Sequence, residues 1–135
     1  MYDTTAPRLR WLPLWRGLGW LLLISIITLS LMPAPPHAPG GDKLHHFLAY
    51  FGLMLLFSQW HERRYYSLLA LAFMTLGIAI ELVQPITGRY FSWLDMLANS
   101  SGAFIAWFIA RGKSGRMLVG FENRLTRLFS QARSD

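Results

Sequence analysis

Four long stretches of the chain contain no Asp, Glu, Lys or Arg, and short charged segments separate them. The stretches are residues 17–41, 44–61, 65–80 and 96–110. A helix needs about 20 predominantly apolar residues to cross the hydrocarbon core of a bilayer. An amphipathic helix of a soluble protein would carry a regular polar stripe, which these stretches lack. The pattern therefore predicts an all-α polytopic membrane protein, a bundle of four transmembrane helices with short loops. We place the helices at 14–32, 44–60, 66–84 and 93–110.

The segments between these helices differ in composition. A cytoplasmic arm covers 1–13, an outer Pro/Gly-rich loop 33–43, a cytoplasmic turn 61–65, an outer loop 85–92 and a tail 111–135. The first apolar stretch follows arginines, as in a signal peptide. It is longer than a typical apolar signal core and lacks a small-residue cleavage site, so we expect it to be retained. The tail alternates arginines with apolar residues at helical spacing, which predicts a basic amphipathic helix on the inner leaflet. A poorly ordered tail is the alternative.

The distribution of basic residues sets the expected orientation. Of 13 Lys and Arg residues, 10 fall in the arm, the 61–65 turn and the tail, and Arg16 lies at the start of the first predicted helix on the same side. Only Lys43 and Arg89 lie opposite. Loops rich in Lys and Arg face the cytoplasm, so both termini should be cytoplasmic. The net charge of +6 is then explained by topology and by attraction to anionic lipid. No nucleic-acid partner is expected. The chain has no Cys, which excludes disulfide, thiolate and Cys-based metal chemistry.

Polar side chains recur at the outer ends of three predicted helices. Spacings of three or four residues place the members of each set on one helix face. Ionisable groups at membrane depth are costly and indicate a functional site by default. We therefore predict an outward-facing polar pocket, with Gly102 and Ala106 allowing close packing of the last helix. The predicted pocket residues are Lys43, His46, Tyr50, Glu81, Gln84, Arg89, Asp95 and Asn99.

Two interpretations of this set remain open. In the structural one, Glu81 and Asp95 neutralise Lys43 and Arg89, and the two amides join helices. In the functional one, Lys43, Arg89 and two helix N-termini hold a phosphate or carboxylate. Catalysis would use Glu81 or Asp95 as general base, but the residues alone leave the catalytic groups unknown. No metal site is predicted, because the adjacent His45 and His46 point about 100° apart on a helix.

The motifs also resemble a known family. Asp42-Lys-Leu-His-His-Phe-Leu-Ala-Tyr50, Glu81-x-x-Gln84, Gly88-Arg89, Asp95 and Asn99-x-x-Gly102 are similar, in order and spacing, to the VanZ-like membrane-protein family over about 42–107. The resemblance implies a small polytopic protein of the bacterial cell envelope. The family's namesake is associated with low-level resistance to the glycopeptide teicoplanin, and the activity of most members is undefined.

The resemblance marks the eight pocket residues and Gly102 as signature positions. Two departures are visible: many members carry a further acidic or polar residue near Phe91-Ser92, and a second glycine where Ala106 stands. The first departure weakens any role that needs another carboxylate, and the second modifies packing. Nothing in the sequence itself indicates that the chain confers drug resistance.

The expected function is that of a VanZ-like envelope protein of the bacterial inner membrane whose activity is non-catalytic or undefined. It would bind an anionic lipid headgroup or a cell-wall component in the outward-facing pocket. One alternative is an outer-leaflet enzyme acting on a lipid-linked phosphate or sugar, with Glu81 and Asp95 as acid and base. Another is a structural or assembly subunit. The expected partners are membrane lipids and a lipid-linked cell-wall precursor; no cofactor is expected, and homo-oligomerisation is left open.

Overall fold

The computed structural model describes residues 9–33, 42–112 and 116–132, and within these ranges the chain is all-helical. The α-helices are α1 (Leu12–Leu31), α2 (Asp42–Ser58), α3 (Tyr66–Val83), α4 (Trp93–Arg111) and α5 (Met117–Gln131). The ends of α1 to α4 lie within two residues of the four predicted segments. Residues 1–8 of the predicted arm and most of the predicted Pro/Gly-rich loop lie outside the described residues.

The boundary between α3 and α4 follows from three local features. Pro85 has no backbone N–H to continue an α-helix, and the chain passes from α3 into a 3₁₀ turn at Gln84–Thr87. Gly88 then takes a left-handed conformation with φ of 80°, which glycine adopts without steric cost. Ser92 begins α4, because its hydroxyl accepts a hydrogen bond of 3.3 Å from the Asp95 backbone N–H. These features bring the end of α3 beside the start of α4.

Helix α4 packs most extensively on α2 and also contacts α3. The closest approach is at Gly102, which has no Cβ. A Cβ placed there would lie inside van der Waals distance of the Phe47 carbonyl oxygen and 3.1 Å from the Phe51 nitrogen. Both atoms belong to the backbone of α2. The small residues Ala103 and Ala106 are fully buried at the same face, so small side chains set the separation of α2 and α4.

The described helices expose large apolar residues and bury polar ones toward the two ends of the bundle. Leu21 on α1, Leu68 on α3 and Phe108 on α4 are 60%, 62% and 70% exposed. Within 9–33, 42–112 and 116–132, two segments are long and apolar enough to cross a membrane, Leu12–Leu31 and Arg63–Thr87. The sequences of the other two helices of the bundle, α2 and α4, are less suited to crossing a membrane. At 17 residues α2 is about 26 Å long, and α4 carries buried polar side chains. That all four helices cross a membrane therefore stays a prediction.

Helix α5 is held at the opposite end of the bundle through Glu122. Its carboxylate accepts hydrogen bonds from the backbone N–H groups of Arg10 at 2.7 Å and Trp11 at 3.1 Å, and from the Trp15 indole at 2.7 Å. Desolvation raises the pKa of Glu122, but these hydrogen bonds and the Arg10 charge outweigh it and hold the pKa below its ordinary value. Gln59 of the α2–α3 connection also accepts from the Leu118 backbone N–H at 3.2 Å.

Candidate functional site

The antiparallel order of α2, α3 and α4 brings polar side chains from three helices to one end of the bundle. His46 lies in the second turn of α2, Glu81 in the last turn of α3, and Asp95 and Asn99 in the first two turns of α4. We call these four residues the His46 cluster. All four are buried. The cluster is therefore an internal feature of the bundle rather than a group of surface charges.

The imidazole of His46 lies between the two carboxylates. Its Nδ1 is 3.1 Å from the Asn99 side-chain oxygen and 3.9 Å from Glu81 Oε1. Its Nε2 is 4.0 Å from Asp95 Oδ2. One candidate ligand atom from each of His46, Glu81 and Asp95 lies within 4.8 Å of the other two. The arrangement could pass protons between groups, hold a cation, or present a charged surface to a ligand.

Glu81 is the most deeply buried member of the cluster, with 0% exposure. Its Oε2 accepts a 3.3 Å hydrogen bond from the Ser92 backbone N–H. Ser92 is the residue that caps α4, so Glu81 joins the end of α3 to the start of α4. Burying a carboxylate is costly unless a cation, a proton or hydrogen bonds compensate for the lost water. A single backbone N–H compensates only in part.

Several polar atoms around the cluster have no hydrogen-bond partner among the described residues. An unsatisfied buried polar atom costs about 1–3 kcal/mol, so such atoms are rare and call for an explanation. Tyr50, from the next turn of α2, belongs to this group and is only 1% exposed. The atoms are Tyr50 OH, Glu81 Oε1, Asp95 Oδ1 and Asn99 Nδ2. Their concentration at one place distinguishes this region from an ordinary packed core.

A cavity of about 210 Å³ adjoins the His46 cluster, between the C-terminal end of α1 and the start of α2. Helix α1 contributes mainly apolar side chains to the wall. Helix α2 contributes the two histidines and Tyr50, and the α3–α4 loop contributes Arg89. The lining residues are Ile26, Leu29, Ser30, His45, His46, Ala49, Tyr50 and Arg89. The cavity is therefore apolar on one side and polar and basic on the other.

The remaining residues predicted from the sequence occupy different places. Lys43 is exposed, one turn before His46, and lies outside the cluster. Gln84 is buried, but its side-chain nitrogen donates to the Ser30 carbonyl at 3.0 Å. It thus fixes the end of α3 against α1. Gly102 and Ala106 are buried in the contact between α2 and α4.

One residue near the cluster was not identified from the sequence. A Cβ on Gly77 of α3 would lie 2.9 Å from the Asn99 Cβ and 3.2 Å from both Asn99 Nδ2 and the Tyr50 ring. Gly77 therefore makes room for two members of the polar region. Its position four residues before Glu81 places it on the same face of α3, which is a signal that the sequence already contained.

Comparison with known proteins gives one match. The model of the family described as VanZ/LLP1 matches residues 9–118, a segment that contains the whole His46 cluster and all residues that line the cavity. No curated protein and no solved structure matches the chain.

Proposed function

The chain belongs to the VanZ/LLP1 family, and on that premise we propose that it is an integral membrane protein of the bacterial inner membrane. In this proposal α1 to α4 cross the bilayer and both termini are cytoplasmic. The exposed apolar faces of α1, α3 and α4 support contact with lipid, since a soluble protein rarely exposes so much contiguous apolar surface. The basic segments around Arg63 and Arg111 lie at the end opposite the His46 cluster, which supports a periplasmic position for the cluster.

The proposed activity is binding of an amphiphile with an anionic headgroup, from a phospholipid or a lipid-linked cell-wall component. The observation that carries it is the cavity with Arg89 and two histidines on one side and Ile26 and Leu29 of α1 on the other. A guanidinium binds phosphate or carboxylate through paired charge-assisted hydrogen bonds. The apolar wall suits the first carbons of a lipid chain. A cell-wall ligand would also fit the family's association with glycopeptide resistance.

An enzyme is the second candidate, and the position of His46 between two carboxylates favours it. His46 would exchange a proton with the headgroup, and Glu81 or Asp95 would orient the imidazole or act as general base. Replacing Glu81 by Gln would then lower turnover by about 10²-fold or more while the protein still folds. A binding protein would lose affinity instead. A purely structural role gives no reason for four unpaired polar atoms beside a cavity.

Native mass spectrometry of the protein extracted in mild detergent tests the binding proposal. We expect an anionic amphiphile to co-purify with the wild type and to be reduced about 10-fold or more in Arg89→Ala, because a charge-assisted hydrogen bond is worth about 1.5–3 kcal/mol. Arg64→Ala is the matched control, since Arg64 is an exposed arginine beside Glu62 at the other end of the bundle. Thermal unfolding of both variants verifies that they fold. Identical lipid content in all three proteins would contradict the proposal.

A further inference from the structure

We propose that the His46 cluster binds one divalent transition-metal ion through His46, Glu81 and Asp95. The inference goes beyond headgroup binding, because the three ligands lie beneath the cavity and need no amphiphile to assemble. From the sequence no metal site is predicted, since His45 and His46 cannot share an ion. These adjacent histidines are also unsuited to share an ion in the structure, and His45 is exposed. The proposed ligands come instead from three helices, one residue from each.

Charge is the first observation that supports an ion. Two carboxylates and one imidazole are buried together, and the close contacts of their polar atoms among the described residues are with one another, with Asn99 and with the Ser92 backbone, not with a Lys or Arg side chain. Arg89, from the α3–α4 loop, acts electrostatically on Glu81. One guanidinium cannot balance two carboxylates. A divalent cation would supply the missing positive charge at the place where the carboxylates converge.

The unpaired oxygens are the second, independent observation. Glu81 Oε1 and Asp95 Oδ1 are buried acceptors without a hydrogen-bond donor among the described residues. Carboxylate oxygens are common ligands of divalent ions. Tyr50 OH is also unpaired and buried, and its ring lies in the wall shared with His46. Tyr50 can contact a water or a headgroup oxygen that completes the ion's coordination.

The hydrogen bond from His46 to Asn99 orients the imidazole for metal binding. The Asn99 side-chain oxygen is an acceptor, so the bond at Nδ1 requires the proton on that nitrogen. Nε2 then carries the lone pair, and it faces Asp95 Oδ2 at 4.0 Å. In metal-binding histidines the ring nitrogen that does not contact the metal usually makes such a hydrogen bond.

The distances fit an ion after the ligand atoms move closer together. Two bonds of about 2.1 Å span at most about 4.2 Å, so the separation of 4.0 Å between His46 Nε2 and Asp95 Oδ2 is within reach. At a tetrahedral angle two such bonds place the ligand atoms about 3.4 Å apart, so binding would shorten this separation by about 0.6 Å. The ligand atoms of the triad lie within 4.8 Å of one another, so the longest separation would shorten by up to about 1.4 Å. One nitrogen and two oxygen ligands suit Zn²⁺ and Mn²⁺. Three protein ligands leave at least one position open.

Metal analysis of the purified protein tests the inference. The protein carries an affinity tag without histidine, is treated with EDTA, and is dialysed against Zn²⁺ or Mn²⁺ alone before the metal content is measured by mass spectrometry. We expect about one ion per chain in the wild type. Glu81→Gln and Asp95→Asn, which preserve side-chain shape, should each weaken binding at least 10-fold, a typical loss when a site member is changed. Glu62→Gln, a change to an acidic residue that pairs with Arg64 at the other end of the bundle, should leave binding unchanged.

Other outcomes decide against the inference. A wild-type protein without metal above the detergent blank overturns it directly, whether or not any variant folds. Equal binding in wild type, Glu81→Gln and Asp95→Asn also overturns it, because the ion would then be held elsewhere.

Arg89→Ala separates this inference from headgroup binding. That variant should lose the co-purified amphiphile yet keep its metal, so failure of one proposal does not imply failure of the other.

Discussion

Replacement of Gly102 by Ala tests how α2 and α4 set the geometry of the His46 cluster. The new Cβ would lie inside van der Waals distance of the Phe47 carbonyl oxygen and 3.1 Å from both the Phe47 carbonyl carbon and the Phe51 nitrogen. All three are backbone atoms of α2 and cannot rotate away. Relaxing these contacts to ordinary separations of about 3.5 Å requires α2 and α4 to move apart by roughly 1 Å, because the contact with the Phe47 carbonyl oxygen is the shortest.

The displacement should reach the cluster. Phe47 follows His46 on α2, and Gly102 lies three residues after Asn99 on α4. A shift of this size would stretch the 3.1 Å contact between His46 and Asn99 to about 4 Å, beyond hydrogen-bond distance. Overpacking costs about 1–3 kcal/mol, and the lost hydrogen bond adds about 1 kcal/mol. We therefore expect Gly102→Ala to destabilise the protein by about 2–4 kcal/mol.

Gly52→Ala is the matched control within the same bundle. Gly52 lies in α2, and a Cβ there would meet nothing within 4 Å. Alanine favours a helix over glycine by about 0.5–1 kcal/mol, so this variant should be neutral or slightly stabilised. Unfolding in mild detergent, followed by circular dichroism during titration with a denaturing detergent, measures both variants. Equal stability of the two, or a stabilised Gly102→Ala, would show that the close contact does not limit packing.

The remaining predictions concern other contacts. Glu122→Ala should weaken docking of α5 by about 2–3 kcal/mol, because a charged acceptor of three hydrogen bonds is lost. The hydrogen-exchange rates of α5 amides should then rise, and unchanged rates would contradict the role of Glu122. In the wild type the pKa of Glu122 is lowered by folding. Docking of α5 should therefore be fully stabilised above the ordinary pKa of Glu122 and weaken as the pH falls through the lower folded value. A pH dependence of α5 docking identical to that of Glu122→Gln would disprove this linkage. Gly77→Ala should displace Asn99 or Tyr50 at a cost of about 1–3 kcal/mol, measured by the same denaturant titration; wild-type stability would show that the site adapts freely.

The helices were predictable because their signals are local. Uninterrupted apolar stretches, Pro85, Gly88 and the Ser92 cap all act within a few residues of where they occur. The predicted helix bounds accordingly lie close to those of α1 to α4. Whether these helices cross a membrane depends on their surroundings. Among the described residues, length and apolar composition mark α1 and the Arg63–Thr87 segment as sufficient to do so.

The site was predictable only in part, because side-chain partners depend on how helices meet. Spacing placed His46, Glu81, Asp95 and Asn99 at one depth, and the structure brings these four together. Residue spacing could not show that the Gln84 side chain bonds to Ser30 or that Lys43 is exposed. Gly77 was not predicted, because a glycine inside an apolar helix has no polar side chain that would indicate a site. The three candidate metal ligands share no local motif, since each comes from a different helix.

The orientation of the polar end is tested most directly by labelling single cysteines with a membrane-impermeant maleimide in intact cells. The chain contains no cysteine, so each introduced thiol reports its own position. Tyr90 beside the cluster is 95% exposed, and Ser130 is exposed on α5 at the other end. We predict that Tyr90→Cys is labelled from outside and that Ser130→Cys is labelled only after the inner membrane is permeabilised. Labelling of Ser130→Cys in intact cells, with Tyr90→Cys protected, would contradict an outward-facing site.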